Sequence, residues 1–448
     1  MNGIFEKVDD FLNSLGVNLE RKHLLAAISG GPDSVFLLNY LLWKRERVPF
    51  HIEAIHLNHM LRGRESDEDE EFVRRFVTSK NINLIVERVD VKRCREKGET
   101  LEEAARRLRY GVFEKYAEDF DWIVTAHNFD DNVETVIFNF FRGGGLNGLA
   151  GIKPIRGKYL RPLLTVTKEE ITRFLEEKGI PYRIDSSNYD RRFTRNMIRH
   201  EIIPFLEEKL GRKVKRRIGE NIEIFRNAMQ FIDRHILNLV SSICFLIPSG
   251  CVLCSYQSIF RLTPFERGEI YRRMLFALGL KGGGSMNFMR GMEEILLHEK
   301  EIFREFPGPV TGGRAGEFLF LCDGKFSDLI PSPEKLTCSE AKEWGWWRIR
   351  ISGKDCNRLP DPAVKGYLPG DRMKILYGGK AITRKLKEIF SSKKIGRVER
   401  KLLPVIVDGD GRIVYVHKVG KSVDISNLEV NFEVEMLTRE VRWIEESF

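Results

Sequence analysis

His23-Leu-Leu-Ala-Ala-Ile-Ser-Gly-Gly-Pro-Asp-Ser-Val-Phe-Leu-Leu-Asn-Tyr40 decides the fold. The apolar run Leu24 to Ile28 has the length of a buried strand, and Val35, Leu38, Leu41 and Leu42 return at helical spacing. Between them, Ser29-Gly30-Gly31-Pro32-Asp33-Ser34 reads as a tight loop. Gly30 and Gly31 let the backbone turn sharply and approach a ligand. Asp33 and Ser34 stand where a helix N-terminus is capped. Free N–H groups running into a positive helix end bind phosphate. The loop has no Gly-Lys-Ser/Thr and no Gly-x-Gly-x-x-Gly, so it is neither a Walker A loop nor a dinucleotide fingerprint.

Outward from this loop, strand and helix alternate. Phe50–Leu57, Asn83–Val89 and Asp121–Ala126 read as strands; 66–80, 100–120 and 130–142 read as helices. That alternation predicts an α/β domain, a parallel sheet wrapped by helices, over residues 1–215. Its second strand runs into His56-Leu-Asn58-His59, at the strand ends where such sheets bind ligands. These residues are either nucleotide contacts or a polar loop end. From 216 to 355 the pattern is mostly helical. Residues 356–448 read as a small basic α+β module.

A second signature, Ala126-His127-Asn128-Phe129-Asp130-Asp131-Asn132-Val133-Glu134-Thr135, also leaves a strand and opens a helix. It therefore faces the same sheet edge as the loop. Its carboxylates concentrate negative charge that Mg²⁺ or an amine would neutralise beside a triphosphate. An acidic first turn favoured by the helix dipole is the plainer reading, which His127 at the strand end weakens.

Ser-Gly-Gly-x-Asp-Ser after a strand resembles the pyrophosphate (PP) loop of the N-type ATP pyrophosphatases. With Ala-His-x-x-Asp-Asp-x-x-Glu-Thr added, the chain resembles the tRNA(Ile)-lysidine synthase family. Other segments agree: Ala105-Arg106-x-x-Arg109-Tyr110, the Gly-rich 142–152, Leu160-Arg161-Pro162-Leu163, Asp185-Ser-Ser-Asn188, Arg195-Asn196-x-Ile198-Arg199, Pro369-Gly-Asp-Arg372, and Leu403-Pro-Val405 before Asp408-Gly-Asp-Gly411. Singly these are weak; their order and joint presence are specific. The likeness is weakest over 216–355.

The resemblance implies an enzyme that binds a CAU-anticodon tRNA(Ile). It would adenylate C2 of the wobble cytidine with ATP, then let the ε-amine of L-lysine displace AMP. Ser29, Gly30, Gly31, Pro32, Asp33, Ser34 and His56 would bind ATP. Asp33 and Asp131 would organise Mg²⁺. Asp131 and Glu134 would bind the lysine amine and take its proton. His127, Arg106 and Arg109 complete the expected catalytic set, the arginines stabilising phosphate charge. Arg191, Arg192, Arg195, Asn196 and Arg199 would meet tRNA, as would Arg372, Lys385, Lys387, Lys393 and Lys394 in the last module.

Charge supports an RNA partner independently of the family. The 448 residues carry a formal net charge of +9. From Asp371 to Lys401 there are eleven Lys or Arg against three Asp or Glu, a composition suited to backbone phosphates. No apolar run reaches the ~20 residues of a membrane helix. The seven cysteines are scattered and odd in number, which suits reduced thiols and a cytoplasmic protein. Cys251-Val-Leu-Cys254 has metal-like spacing but no second pair, so buried structural thiols are expected. The same chemistry leaves two rivals, a tRNA-thiolating PP-loop enzyme and an RNA-binding protein with an inactive nucleotide domain. The first lacks well-placed cysteines. The intact Asp33, His127, Asp131 and Glu134 argue against the second. Oligomeric state is not legible, and a homodimer is compatible with everything above.

Overall fold

Strand β1 (His23–Ala27) is the axis of the first unit. Leu24 and Ala26 share an apolar core with helix α2 (Pro32–Arg45), while Leu25 packs with α5 (Leu101–Tyr116). Successive side chains of a strand point to opposite faces, so α2 and α5 cover opposite sides of the sheet.

The computed structural model describes residues 3–184, 194–280 and 285–438. They fall into two compact units dividing at Phe231/Ile232. The first unit also holds α1 (Gly3–Ser14), β2 (His51–Asn58), α3 (Arg64–Thr78), β3 (Asn83–Arg88), α4 (Val91–Cys94), β4 (Trp122–Val124), α6 (Phe129–Phe141), α7 (Gly145–Leu149), β5 (Ile155–Arg156), β6 (Tyr159–Leu160), α8 (Lys168–Glu177), α9 (Thr194–Met197), a π-turn (Ile198–Ile202), α10 (Ile203–Leu210) and the start of α11 (Val214–Ile243). The sheet order is β3-β2-β1-β4-β6-β5. All its pairs are parallel except β5 with β6. The chain steps to opposite sides of β1 to place β2 and β4, so the switch point lies at the C-terminal ends of β1 and β4. Both signatures leave the sheet there.

The second unit holds a five-stranded sheet, β7 (Cys244–Ile247), β8 (Cys251–Ser255), β9 (Phe303–Phe306), β10 (Val310–Ala315) and β11 (Phe318–Asp323), in the order β7-β8-β11-β10-β9. Helices α12 (Tyr256–Phe260), α13 (Pro264–Ala277) and α14 (Met286–Leu297) accompany it. The helical reading of this stretch misses β7 and β8, because short apolar runs carry no period that separates strand from buried helix.

Beyond β11 come β12 (Glu334–Lys335), β13 (Ala341–Trp344), β14 (Trp347–Ser352), β15 (Ala363–Lys365), β16 (Arg372–Tyr377), β17 (Lys380–Lys385), α15 (Leu386–Ser392), α16 (Glu399–Leu402), β18 (Val405–Val407), β19 (Ile413–Val416), β20 (Gly420–Lys421) and β21 (Asn431–Met436). One apolar cluster runs from Cys251, Leu253 and Phe320 through Trp347 to Phe390 and Ile406. Val252 and Cys254 belong instead to the core formed with α11, α13 and α14.

The cysteine expectation is corrected. Six of the seven form disulfides, Cys244–Cys254, Cys251–Cys322 and Cys338–Cys356, leaving Cys94 free and exposed. Cys251 and Cys254 lie on opposite faces of β8. Each stands in register with a cysteine of the neighbouring strand, Cys322 on β11 and Cys244 on β7. Linear spacing hides such cross-strand partners.

Candidate active site

The PP loop is shaped from inside by Ser34. Its Oγ accepts from the Ser29 amide at 3.2 Å and the Gly30 amide at 3.1 Å, and donates to Gly31 O at 2.9 Å. Gly30 has φ +90°, and a Cβ there would meet Val73 Cγ2 at 3.1 Å, so glycine is needed. Gly31 is in the extended region and precedes Pro32 at the start of α2. Two of the loop amides are thus spent on Ser34. The first-turn amides of Asp33 and Ser34 lack intrahelical partners, and the positive helix end lies beside the loop.

Asp33 meets the second signature through Asn128. Asn128 Nδ2 donates to Asp33 Oδ1 at 2.9 Å. The same residue caps α6: its Oδ1 accepts from the Asp131 amide at 2.9 Å, and its amide donates to Asp131 Oδ2 at 3.1 Å. Sequence reasoning gave Asn128 no role. The Asn-x-x-Asp capping pattern was its available signal. Burial, then the neighbouring Asp131 charge, push Asp33 up to about 6.

The three carboxylates of the second signature are now distinguishable. Asp130 accepts from Lys215 Nζ at 3.0 Å and from the Lys168 amide at 2.8 Å, which makes it a brace between α6, α8 and α11. Glu134 is buried and held by Arg199, Nε to Oε1 at 2.6 Å and Nη2 to Oε2 at 2.9 Å; Nη2 also reaches Asp131 Oδ1 at 3.2 Å. Burial raises the Glu134 carboxyl above its ordinary range despite that arginine. Arg199 therefore turns inward, from a π-turn, toward the residues expected to receive lysine. π-Turns inside helices recur at functional sites.

On the α5 side of the sheet edge, His127 Nδ1 lies 3.0 Å from Thr125 Oγ1. Burial, then Arg161, Arg109 and Arg106, hold it well below the ordinary histidine range, so it is neutral near pH 7. His59 is held at about 4 by burial and Arg109. His56 Nδ1 lies 2.8 Å from Ile28 O and its Nε2 is buried without a partner. Asn58 is structural: it donates to Ser66 O and Glu70 and accepts from the Met60 amide. Arg195 pairs with Glu102 at 3.5 Å, and Asn196 precedes the π-turn. Arg191, Arg192 and the Asp185–Asn188 motif lie outside the described residues. In the second unit, Arg372, Lys385, Lys387, Lys393 and Lys394 are all exposed, and Arg372 and Lys385 are register partners across β16 and β17.

The chain matches the PP-loop domain family over residues 4–206 and the TilS substrate C-terminal domain family over 363–432. It is 33% identical to the tRNA(Ile)-lysidine synthase of Clostridium acetobutylicum over 468 aligned residues, covering 96% of this chain and 100% of that one. The chain belongs to the tRNA(Ile)-lysidine synthase family. It is thus an enzyme, a ligase built on a PP-loop domain. The lysidine synthase of Geobacillus kaustophilus is 29% identical over 94% of this chain and 95% of its own. Among solved structures, the U34-tRNA thiolase NcsA from Methanococcus maripaludis aligns at 18% identity and TM-score 0.42, over 50% of this chain and 79% of that one. Among the described residues of this family member, no helix is long and apolar enough to cross a membrane.

Proposed function

We propose that the protein joins the ε-amine of L-lysine to C2 of the wobble cytidine in a CAU-anticodon tRNA(Ile). The C2 carbonyl oxygen attacks the α-phosphorus of ATP and pyrophosphate leaves. The amine then attacks C2, and AMP departs with that oxygen. Family membership supports the reaction, and one observation carries its placement here. Asn128 bonds Asp33 with its side chain while capping Asp131, so the PP loop and the acidic signature act as one constellation.

The pyrophosphate end of ATP is assigned to the amides of Asp33 and Ser34 at the start of α2. His56, with its unpartnered Nε2, suits a donor on the nucleotide. Asp33 and Asp131 fit Mg²⁺. They are hard oxygen donors, few in number as Mg²⁺ prefers when phosphates complete its shell. When bound, the ion would supply charge neutralisation at the phosphates.

Lysine arrives as an ammonium and must lose a proton before it attacks. Glu134 takes two of the three Arg199 hydrogen bonds and is buried, whereas Asp131 takes one and is a quarter exposed, so Asp131 is the carboxylate better placed to meet the ammonium and accept its proton. Glu134 and Arg199 hold Asp131 in position. His127 acts as a neutral hydrogen-bonding group. Arg106 and Arg109 answer phosphate charge. The basic surface from Arg372 to Lys394, together with Arg195 and Asn196, would grip tRNA backbone. The reaction would take place in the cytoplasm.

The test is pyrophosphate release from ATP. The proposal predicts turnover only when the CAU transcript and lysine are both present. Turnover that needs a sulfur donor instead of lysine would refute it.

A further inference from the structure

A segment from late in the first unit holds the PP loop from outside. The Arg183 amide donates to Gly30 O at 2.9 Å. The Gly30–Gly31 peptide is trans, and a trans peptide sets its N–H opposite its C=O. The bond therefore directs the Gly31 N–H away from Arg183. Its contact there is Ser29 Oγ at 3.4 Å, long for an amide donor. The Gly31 amide is thus a further donor for a phosphate, beside those of Asp33 and Ser34. With glycine on both sides, this peptide has little steric preference of its own. Flipped, it would aim the Gly30 carbonyl at the ligand and repel it.

Asp69 secures Arg183 in turn. It is 8% exposed and accepts from Arg183 Nε at 2.8 Å and from Arg62 Nη2 at 2.8 Å. Phe72 and Val73 follow it at the i+3 and i+4 positions of α3, so the three share one helix face. Phe72 and Val73 come within 3.4 and 3.1 Å of where a Cβ on Gly30 would stand. The face of α3 that packs against the loop is therefore the face that carries Asp69. Charge-assisted hydrogen bonds are the strong ones, so the Arg183 backbone is fixed where it meets Gly30.

We propose that Asp69 and Arg183 are positioning residues for the nucleotide. Their ion pair keeps the Gly30 carbonyl turned outward and leaves the Gly31 N–H facing a phosphate of ATP. The inference rests on the assignment of ATP to the PP loop made above.

The experiment measures dissociation constants of wild type, Asp69→Asn, Arg183→Gln and the double variant for a non-hydrolysable ATP analogue, and separately for the CAU-anticodon transcript. Arg183→Gln leaves the Asp69–Arg62 pair in place, so it keeps the test valid if Asp69→Asn fails to fold. Each single variant should lose about tenfold in affinity for the analogue, as for one weakened hydrogen bond to a charged group. Transcript affinity should stay within about twofold. In pyrophosphate release, KM for ATP should rise while KM for lysine holds. The two residues act through one peptide, so the double variant should bind the analogue no more weakly than the weaker single variant. Analogue affinity within about twofold of wild type in folded Arg183→Gln, or an equal loss for the transcript, would overturn the proposal. If wild type releases pyrophosphate without lysine while the variants still lose analogue affinity, the function proposed above fails and the positioning role stands.

Discussion

Arg199 grips Glu134 with two parallel hydrogen bonds and lends its third contact to Asp131. Glu134 is buried and Arg199 half-buried, so removing the arginine strands a buried carboxylate. Arg199→Ala is expected to cost about 3 kcal/mol of stability and to lower lysine transfer about 100-fold. Arg199→Ala combined with Glu134→Ala should be less destabilised than the sum of the two single variants. Denaturant unfolding and initial rates on all three variants check this; strict additivity would show that the pair is not a unit.

Asp33 is pushed up from 3.8 to about 6 by burial and by Asp131. The folded protein then binds more protons than the unfolded chain between these values, so stability falls as pH rises through that window. Asp33→Asn should stabilise the metal-free protein by about 2 kcal/mol at pH 7.5, give no gain near pH 4, and abolish turnover. Urea melts in EDTA at both pH values measure the difference.

Glu70 shows the opposite sign. It is buried and accepts from Arg88 at 2.8 Å, Arg74 at 2.9 Å and Asn58 at 3.0 Å, and these partners outweigh burial to hold it at about 2 against an ordinary 4.5. Its contribution is complete above pH 4.5 and is lost as pH falls toward 2. Glu70→Gln is expected to cost about 2 kcal/mol at pH 7 and to flatten the acid limb of the stability curve. An unchanged acid limb would contradict the assignment.

The two disulfides of the five-stranded sheet close loops of very different length, with sequence separations of 10 and 71 residues. On loop entropy alone, the longer one stabilises by about 1–2 kcal/mol more. The Cys251→Ala/Cys322→Ala pair should therefore lower the unfolding midpoint further than Cys244→Ala/Cys254→Ala, and reductant should erase the difference. Calorimetry with and without reductant tests it.

The PP-loop sheet was legible because its cues are local. Leu24–Ile28 has strand length, Gly30 sits where φ is positive, and Asp130-Asp131 opens a helix. What escaped was set by tertiary geometry. Arg199 stands in a basic run, and nothing in that run says that it turns inward to a buried Glu134. Asp130 and Asp131 are adjacent in sequence, yet one braces α8 and α11 while the other faces Asp33. The cysteines escaped for a related reason, since strand register, not spacing, makes Cys251 meet Cys322.

Lysine transfer to tRNA is proposed to take place at the Asp33–Asn128–Asp131 constellation. The most direct measurement incubates the protein with ATP, Mg²⁺, labelled lysine and a CAU-anticodon isoleucine transcript. Label is expected in the tRNA and is expected to be lost in Asp131→Asn. No label with the transcript still bound, or label undiminished in that variant, would contradict it.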